Sequence, residues 1–165
     1  MANAALRRLY EEDQADRSRQ PIDWHSVSAR DRERRAEVRK ILAGGELHDG
    51  WDCYWAAVVL IHGSEAIDLE CAFEMARRAF ELAPQPLQIR AFYALAKDRL
   101  LLSRGEPQWY GTQKAVVNGE LVLAPIDPAA VTDEERIAMG VLSLAERYRE
   151  IRHISSLRGE QKPPR

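Results

Sequence analysis

The sequence predicts a mainly α-helical protein, a single-domain helical bundle of six or seven helices with one β-hairpin near residues 112–124. Apolar residues recur at helical spacing through most of the first hundred residues, and glycine and proline breaks separate these stretches. Asn118-Gly119 lies between two short apolar stretches, and this dipeptide is typical of a tight hairpin turn. A chain of 165 residues is long enough for one complete core. We therefore expect one helical domain over residues 1–158 with a β-hairpin insertion, and a disordered tail over residues 159–165.

The first predicted helix runs from Ala5 to Arg19. Its inward face has Leu6, Leu9 and Asp13 at helical spacing, with other charges elsewhere. Pro21 ends this helix, because the residue before a proline is disfavoured in the helical conformation.

The second predicted helix begins with a serine cap at Ser26 or Ser28 and ends at Gly44-Gly45. Trp24, in the connection before it, is expected to pack back onto the core.

The second helix is rich in bases: residues 30–40 contain six bases and three acids. A nucleic-acid surface is one interpretation of this stretch, and a solvated helix face is the other. The stretch has no aromatic residues for stacking on bases, and opposite charges recur at helical neighbour spacings. With a net charge of −2 for the whole chain, we expect a solvated face and no nucleic-acid partner.

Three further helices are predicted in the middle of the chain, at Trp51 to His62, Glu65 to Leu82 and Leu87 to Ser103. The first of these is apolar on nearly every side and is therefore expected to be central. The first two are locally tetratricopeptide-like, because small residues and a proline follow the spacing of such a helical hairpin. These residues are Ala72, Ala76, Ala79 and Pro84. One such unit does not make an array, so we interpret it as close packing of two helices.

The C-terminal third changes pattern. Lys114 to Val117 and Glu120 to Leu123 are the predicted hairpin strands. A capping box that begins at Thr132 opens a helix over Glu134 to Met139, and a last helix is predicted over Leu142 to Ile154.

Localisation is expected to be cytoplasmic. Cys53 and Cys71 lie in apolar helical patterns and are expected to be free thiols in a reducing compartment. The N-terminus acquires charge at once and lacks the apolar segment of a signal peptide. The longest apolar run is far shorter than the ~20 residues of a membrane span, so no membrane association is expected.

Three polar residues within apolar helices are candidates for chemistry. His62 is either a satisfied core residue or a general acid or base, since histidine titrates near neutrality. Asp98 and Arg99 are either a structural ion pair or functional groups. In the functional reading, Asp98 orients His62 and Arg99 holds a carboxylate or phosphate.

The stretch that follows is the most distinctive in the sequence. Gln108, Tyr110, Thr112 and Gln113 surround Gly111, which allows close backbone approach or a positive φ angle. These side chains either satisfy backbone groups at the junction of helix and hairpin or contact a ligand.

These residues form a pattern: Asp13-Gln14-x-x-Arg17, His62-Gly63, Asp98-Arg99 and GxPQxYGTQ over residues 105–113. The pattern resembles that of an uncharacterised bacterial domain family of unknown function, from about Leu6 to Tyr148. It departs from that family at Ile61, where glutamine is frequent. The resemblance implies that the polar residues belong together but supplies no activity. The residues concerned are Asp13, Arg17, His62, Asp98, Arg99 and Gln113.

Two functions fit a shared polar pocket. The first is a binding module in which Arg17 and Arg99 hold a small acidic ligand or a peptide end. The alternative is a metal-independent hydrolase or lyase, with His62 as general acid or base oriented by Asp98. In that enzyme Tyr110, Thr112 and Gln113 would fix the substrate or an oxyanion.

No cofactor or metal site is predicted. The sequence has no glycine-rich phosphate loop, no HExxH, no paired CxxC and no GxSxG. A small molecule or peptide is the expected partner.

Overall fold

The computed structural model describes residues 2–160, with side chains described through residue 157. Within these residues the chain forms seven α-helices and one antiparallel hairpin, which confirms the predicted mainly helical fold. The helices are α1 (Ala4–Ser18), α2 (Trp24–Ala43), α3 (Gly50–Leu60), α4 (Ala66–Leu82), α5 (Leu87–Ser103), α6 (Asp133–Ala138) and α7 (Leu144–Glu160). The strands are β1 (Lys114–Val117) and β2 (Glu120–Leu123).

The chain divides into two compact units, an N-terminal unit of residues 1–96 and a C-terminal unit of residues 97–165. The division falls within α5. That residues 1–158 form one domain stays a prediction. Of the predicted disordered tail, Gly159 and Glu160 belong to α7, and residues 161–165 lie outside the described residues.

In the N-terminal unit, α3 is central and contacts α1, α2 and α4. Eight of its eleven residues are buried, as expected for a helix that is apolar on nearly every side. The packing against α4 is close: Ala72, Ala76 and Ala79 are at most 1% exposed. A Cβ on Gly50 would overlap the side chain of Ala83 at the end of α4. Small residues therefore bring these two helices together, as the alanine spacing predicted.

The start of α2 differs from the prediction. Asp23 caps the helix by accepting from the Ser26 N–H, and neither Ser26 nor Ser28 is the cap. Trp24 is 59% exposed, so the expectation that it packs onto the core is wrong. The helix begins at Trp24 itself, and its buried face starts one turn later at Val27.

In the C-terminal unit, the hairpin has the predicted strands and register, with Lys114 opposite Leu123. The turn residues Asn118 and Gly119 have φ angles of 51° and 82°. Positive φ at both central positions is the requirement of a type I′ turn. The second strand packs against α7, which covers one side of an otherwise marginal hairpin.

The last two helices begin at local caps. Thr132 and Glu135 form the predicted capping box of α6. Ser143 and Glu146 exchange hydrogen bonds before α7, which is why this helix begins at Leu144, two residues later than predicted.

Candidate functional site

His62 and Asp13 lie beside each other in the N-terminal unit, with 3.4 Å between Nε2 of His62 and Oδ2 of Asp13. This separation is longer than an ordinary hydrogen bond, and Nε2 is a buried atom without a hydrogen-bond partner. The Asp13 side chain is 1% exposed and the His62 side chain 23% exposed. The exposed surface of His62 therefore belongs to atoms other than Nε2. The residue lies in the turn after α3, not within the helix as predicted.

Asp13 is held by its neighbours on α1. The Gln14 side-chain amide donates to Oδ2 at 2.8 Å, and Nη1 of Arg17 donates to Oδ1 at 2.7 Å. The spacing of Asp13 and Arg17 thus has a geometric reason, because residues four apart are neighbours on a helix surface. Gln14 reaches the same carboxylate from the adjacent position.

The contact between Asp13 and Arg17 is one end of a chain of alternating charges between α1 and α2. Arg17 also donates to Asp31, and Arg34 donates to both Asp31 and Asp16. Arg30 completes the chain with two hydrogen bonds to Asp16. We call the three acids and three bases the ion network: Asp13, Asp16, Asp31, Arg17, Arg30 and Arg34. Its formal charges cancel.

The network lowers the pKa of two of its acids. For Asp16 the leading cause is the hydrogen bond from Arg30, which acts against the effect of burial. For Asp31, burial acts most strongly and raises the pKa, but hydrogen bonds from Arg17 and Arg34 outweigh it. Both carboxylates are therefore stabilised as anions in the folded protein.

The interpretation of the basic stretch as a solvated face is wrong for the residues that α2 turns toward α1. Arg34 is 4% and Asp31 8% exposed, and they lie on the buried face of α2 with Val27 and Val38. Arg17 likewise has its donors occupied by Asp13 and Asp31. Its predicted role as a site for an acidic ligand is not supported, since the ligand would have to displace two buried carboxylates.

Close packing explains why the residue directly after His62 is a glycine, Gly63. A Cβ at this position would overlap the Asp68 side chain. Asp68 is itself buried and pairs with Arg39 and, at 3.6 Å, with Arg35. The glycine therefore lets the turn that carries His62 approach a buried ion pair.

Asp98, in the C-terminal unit, anchors the loop that follows α5. Oδ1 accepts the N–H groups of Trp109 and Tyr110, and Oδ2 accepts both the N–H and the hydroxyl of Thr112. The residue is fully buried. These four hydrogen bonds give Asp98 a role other than the predicted orientation of His62, and Asp13 is the carboxylate beside that histidine.

Gln108 is a second internal support of the same loop. Its amide nitrogen donates to the carbonyls of Gln113 and Ala124, and its amide oxygen accepts the N–H of Gln113. It is fully buried, and Tyr110 is 9% exposed. The Gln113 side chain donates to the Thr112 hydroxyl. The distinctive stretch thus satisfies backbone groups before the hairpin, the first of the two roles considered for it.

Arg99 stands apart from these paired groups. The residue is half-buried, and its guanidinium has no hydrogen-bond or ion-pair partner among the described residues. Burial alone lowers its pKa, with no opposing effect from a neighbouring acid. Among the candidate residues, His62 has a buried ring nitrogen without a hydrogen-bond partner, and Arg99 has a charge without an ion-pair partner in the described part of the chain.

An open groove lies on another part of the N-terminal unit, with a volume of about 370 Å³. Half of the eight described residues that line it are aromatic and come from α1 and α3: Tyr10, Trp51, Tyr54 and Trp55. The ring centroids of Trp51 and Trp55 are 6.4 Å apart, and those of Tyr10 and Tyr54 are 5.8 Å apart. We call this feature the aromatic groove.

The structure brings the predicted site residues together in two groups. Asp13, Arg17 and His62 meet in the N-terminal unit. The second group lies in the C-terminal unit and consists of Asp98, Gln108, Tyr110, Thr112 and Gln113. That both groups share one pocket stays a prediction.

Several polar residues of the structure were not singled out in the sequence. Asp16 lies one turn beyond Asp13 on the face of Leu6 and Leu9, which was a usable signal. Arg136 is 1% exposed and donates to the Trp109 carbonyl, 27 residues away. Nothing local in the sequence indicates that contact.

Within residues 2–160, no three His, Cys, Asp or Glu side chains are grouped in a way that could hold a metal ion. None of the helices in this part of the chain has both the length and the apolar composition needed to cross a membrane.

The fold and site define a mainly α-helical protein with a small hairpin and a buried ion network beside a histidine. The chain belongs to a family of unknown function, DUF6624, whose model matches residues 43–159. This confirms the expected membership of an uncharacterised family. The matched range contains His62, Asp98 and Gln113 and begins at the last residue of α2. No curated protein and no solved structure matches the chain.

Proposed function

We propose that the protein binds a small acidic ligand, or the carboxylate end of a peptide, through the guanidinium of Arg99. The observation that supports this function is a half-buried positive charge without a partner among residues 2–160. A buried charge is costly unless an opposite charge or hydrogen bonds compensate it. An incoming carboxylate or phosphate would supply both.

The chemistry of arginine suits this ligand class. The planar guanidinium presents parallel N–H donors that match the two oxygens of a carboxylate or phosphate. Bound in this way, the anion would reverse the effect of burial that lowers the pKa of Arg99. Arg17 has no part in the proposal because Asp13 and Asp31 occupy its donors.

Thermal unfolding of wild type and Arg99→Met with succinate, citrate or inorganic phosphate tests this proposal. At ten times its dissociation constant a ligand stabilises the folded form by about 1.4 kcal/mol. We expect at least one of these anions to raise the Tm of wild type by about 3–6 °C and to leave the Tm of Arg99→Met unchanged. Arg104→Gln, an exposed position just after α5, is the matched control. Equal shifts in all three proteins would show general ion effects and contradict the proposal.

The same variant has a second readout without any ligand. If the role of Arg99 is to bind a ligand, its unpaired charge lowers the stability of the ligand-free protein. Replacing it with an apolar side chain of similar length then removes this desolvation cost. The free energy of unfolding of Arg99→Met should then be unchanged or up to about 1 kcal/mol higher than that of wild type. This is the low end of the gain seen when buried charges are replaced by apolar residues, because Arg99 is only half-buried. A clear loss of stability would instead mean that Arg99 is structural.

A second candidate function is acid–base catalysis by His62, supported by the position of Asp13. A buried carboxylate 3.4 Å from one ring nitrogen can orient the ring. The remaining ring surface is then left to face a substrate. Separations of this size in a free enzyme often shorten when substrate binds. Thr112 is an unsuitable oxyanion donor, because it gives both its N–H and its hydroxyl to Asp98.

Ester hydrolysis tests the second candidate, with p-nitrophenyl acetate as the probe. His62→Ala should lower kcat most, because it removes the base itself, and Asp13→Asn should lower kcat less, because it removes only the carboxylate beside the base. His153→Ala, an exposed histidine on α7, is the control for unspecific imidazole catalysis. Equal activity in His62→Ala and His153→Ala would contradict a catalytic role for His62 toward this ester.

A further inference from the structure

We propose that the aromatic groove binds a proline-rich peptide segment in the polyproline II conformation. The proposal concerns a different site from Arg99 and from His62, and it rests on the shape and hydrogen-bonding character of the groove.

The walls suit a rigid apolar ligand. The four aromatic side chains of the groove are all half-buried, so each keeps exposed surface. Tyr54 stacks edge-on against Trp51, with ring centroids 5.6 Å apart, and also against Phe92 at 5.5 Å. This support from behind holds the groove rings in place. The volume of about 370 Å³ is within the range of ligand-binding clefts.

The groove is rich in free donors. Within the described residues, the indole nitrogens of Trp51 and Trp55 make no hydrogen bond, and neither is a buried atom. Gln88, at the rim, likewise has no side-chain partner in this part of the chain. Of the two charges at the rim, Glu11 is already paired with Arg7 at 2.8 Å. A ligand therefore meets unpaired N–H groups beside aromatic rings.

A proline-rich segment complements both properties. Proline has no backbone N–H, so such a segment presents carbonyl acceptors and few donors. In polyproline II these carbonyls make no internal hydrogen bonds and point outward. The conformation is preformed, which lowers the entropy cost of binding, and its rings pack on aromatic side chains.

Isothermal titration with a polyproline peptide of about ten residues tests the proposal, and a glycine–serine peptide of equal length is the ligand control. We expect saturable binding of the first and none of the second. Trp55→Ala should weaken binding by about tenfold or more, as for a central aromatic residue in an interface. Trp24→Ala removes a tryptophan outside the groove that is 59% exposed and should leave binding unchanged.

Two milder variants keep the test valid if Trp55→Ala fails to fold. Trp55→Phe retains a ring but loses the N–H and should weaken binding about threefold to tenfold, the effect of one hydrogen bond. Gln88→Ala changes an exposed side chain and should weaken binding in the same direction. Absence of saturable binding, equal binding of the glycine–serine peptide, or equal loss in Trp24→Ala would each overturn the proposal. Arg99→Met should bind the peptide like wild type, so the two sites can fail separately.

Discussion

Two fully buried aspartates show how context assigns the role of a residue. Asp98 accepts four hydrogen bonds, three of them from backbone N–H groups of residues 109–112. Its charge is used to shape a loop. Asp13 receives side-chain donors from Gln14 and Arg17 and still faces the ring of His62. Only the second carboxylate lies where it could influence chemistry at another side chain.

Replacing Asp98 with asparagine should destabilise the protein by about 2–4 kcal/mol. One of the two acceptor oxygens becomes an amide donor facing buried N–H groups, which lose their partner. Urea unfolding measures the change, with Asp127→Asn as the control because Asp127 accepts one N–H in an exposed turn. An unchanged midpoint for Asp98→Asn would contradict the role of loop anchor.

A second residue-scale prediction concerns Gly63. Alanine at this position should lower the free energy of unfolding by about 1–3 kcal/mol, because its Cβ would displace the buried Asp68 carboxylate. Gly44→Ala provides a comparison, since its Cβ would meet only a glutamate side chain and a carbonyl at 3.3–3.4 Å. Thermal denaturation of both variants decides the matter, and equal stability would show that the turn has room to adjust.

Among the secondary-structure elements, α1 and α2 contact each other through charged side chains. These side chains lie at inward-facing positions of the two helices, where apolar residues are usual. Asp13 and Asp16 continue the buried face of α1, and Asp31 and Arg34 that of α2. Such a pairing is not a strong source of net stability, because desolvation offsets most of the attraction. It does penalise any arrangement that leaves one member unpaired. The ion network therefore favours one register of the two helices.

Because of the ion network, we expect the stability of the folded protein to fall at acid pH. The folded-state pKa values of Asp16 and Asp31 lie below their ordinary values, so their stabilisation is fully present above about pH 4. It is lost as the pH falls through the folded-state values. Asp31→Asn should cost about 3 kcal/mol at pH 7, as expected when a buried pair is broken.

This cost should shrink as the pH falls, since the wild-type carboxylate then becomes protonated as well. Urea unfolding of wild type and Asp31→Asn between pH 7 and pH 3 measures it. Glu12→Gln, in an exposed ion pair with Arg8, should show little effect at any pH. A cost that is independent of pH would contradict the stabilised anion.

For the electrostatic field of the whole molecule, the balance of acids and bases matters more than any local cluster of one charge. The 24 bases and 26 acids give a net charge of −2. The basic stretch of α2 loses much of its outward field because Arg30, Arg34 and Arg39 are paired with acids of α1, α2 and α4. A basic sequence segment therefore does not produce a basic surface of equal size.

We accordingly predict that the protein does not bind nucleic acid. It should not be retained on heparin or shift a DNA duplex at about 0.1 M salt, because the net charge is negative and the bases of α2 named above are already paired with acids. Asp16→Asn with Asp31→Asn frees two positive charges and should increase retention. Strong retention of wild type that weakens with salt would contradict this prediction.

Local signals account for the parts of the fold that were predicted well. The bounds of α5 and of both strands agree with the prediction. Prolines before α5 and the Asn118-Gly119 turn impose their geometry on immediate neighbours. The start of α2 was missed because Asp23, Ser26 and Ser28 are all good caps, and only one can be used.

The chain's own pattern was sufficient to predict six or seven helices, one hairpin and a list of candidate polar residues, since these depend on contacts over a few positions. It did not reveal which partners those residues have. His62 meets Asp13 across 49 positions, and Arg17 meets Asp31 across 14. Periodicity marks a charged residue on an inward face but carries no information about what lies opposite. That is settled when helices pack, because desolvation makes an unpaired buried charge too costly to keep.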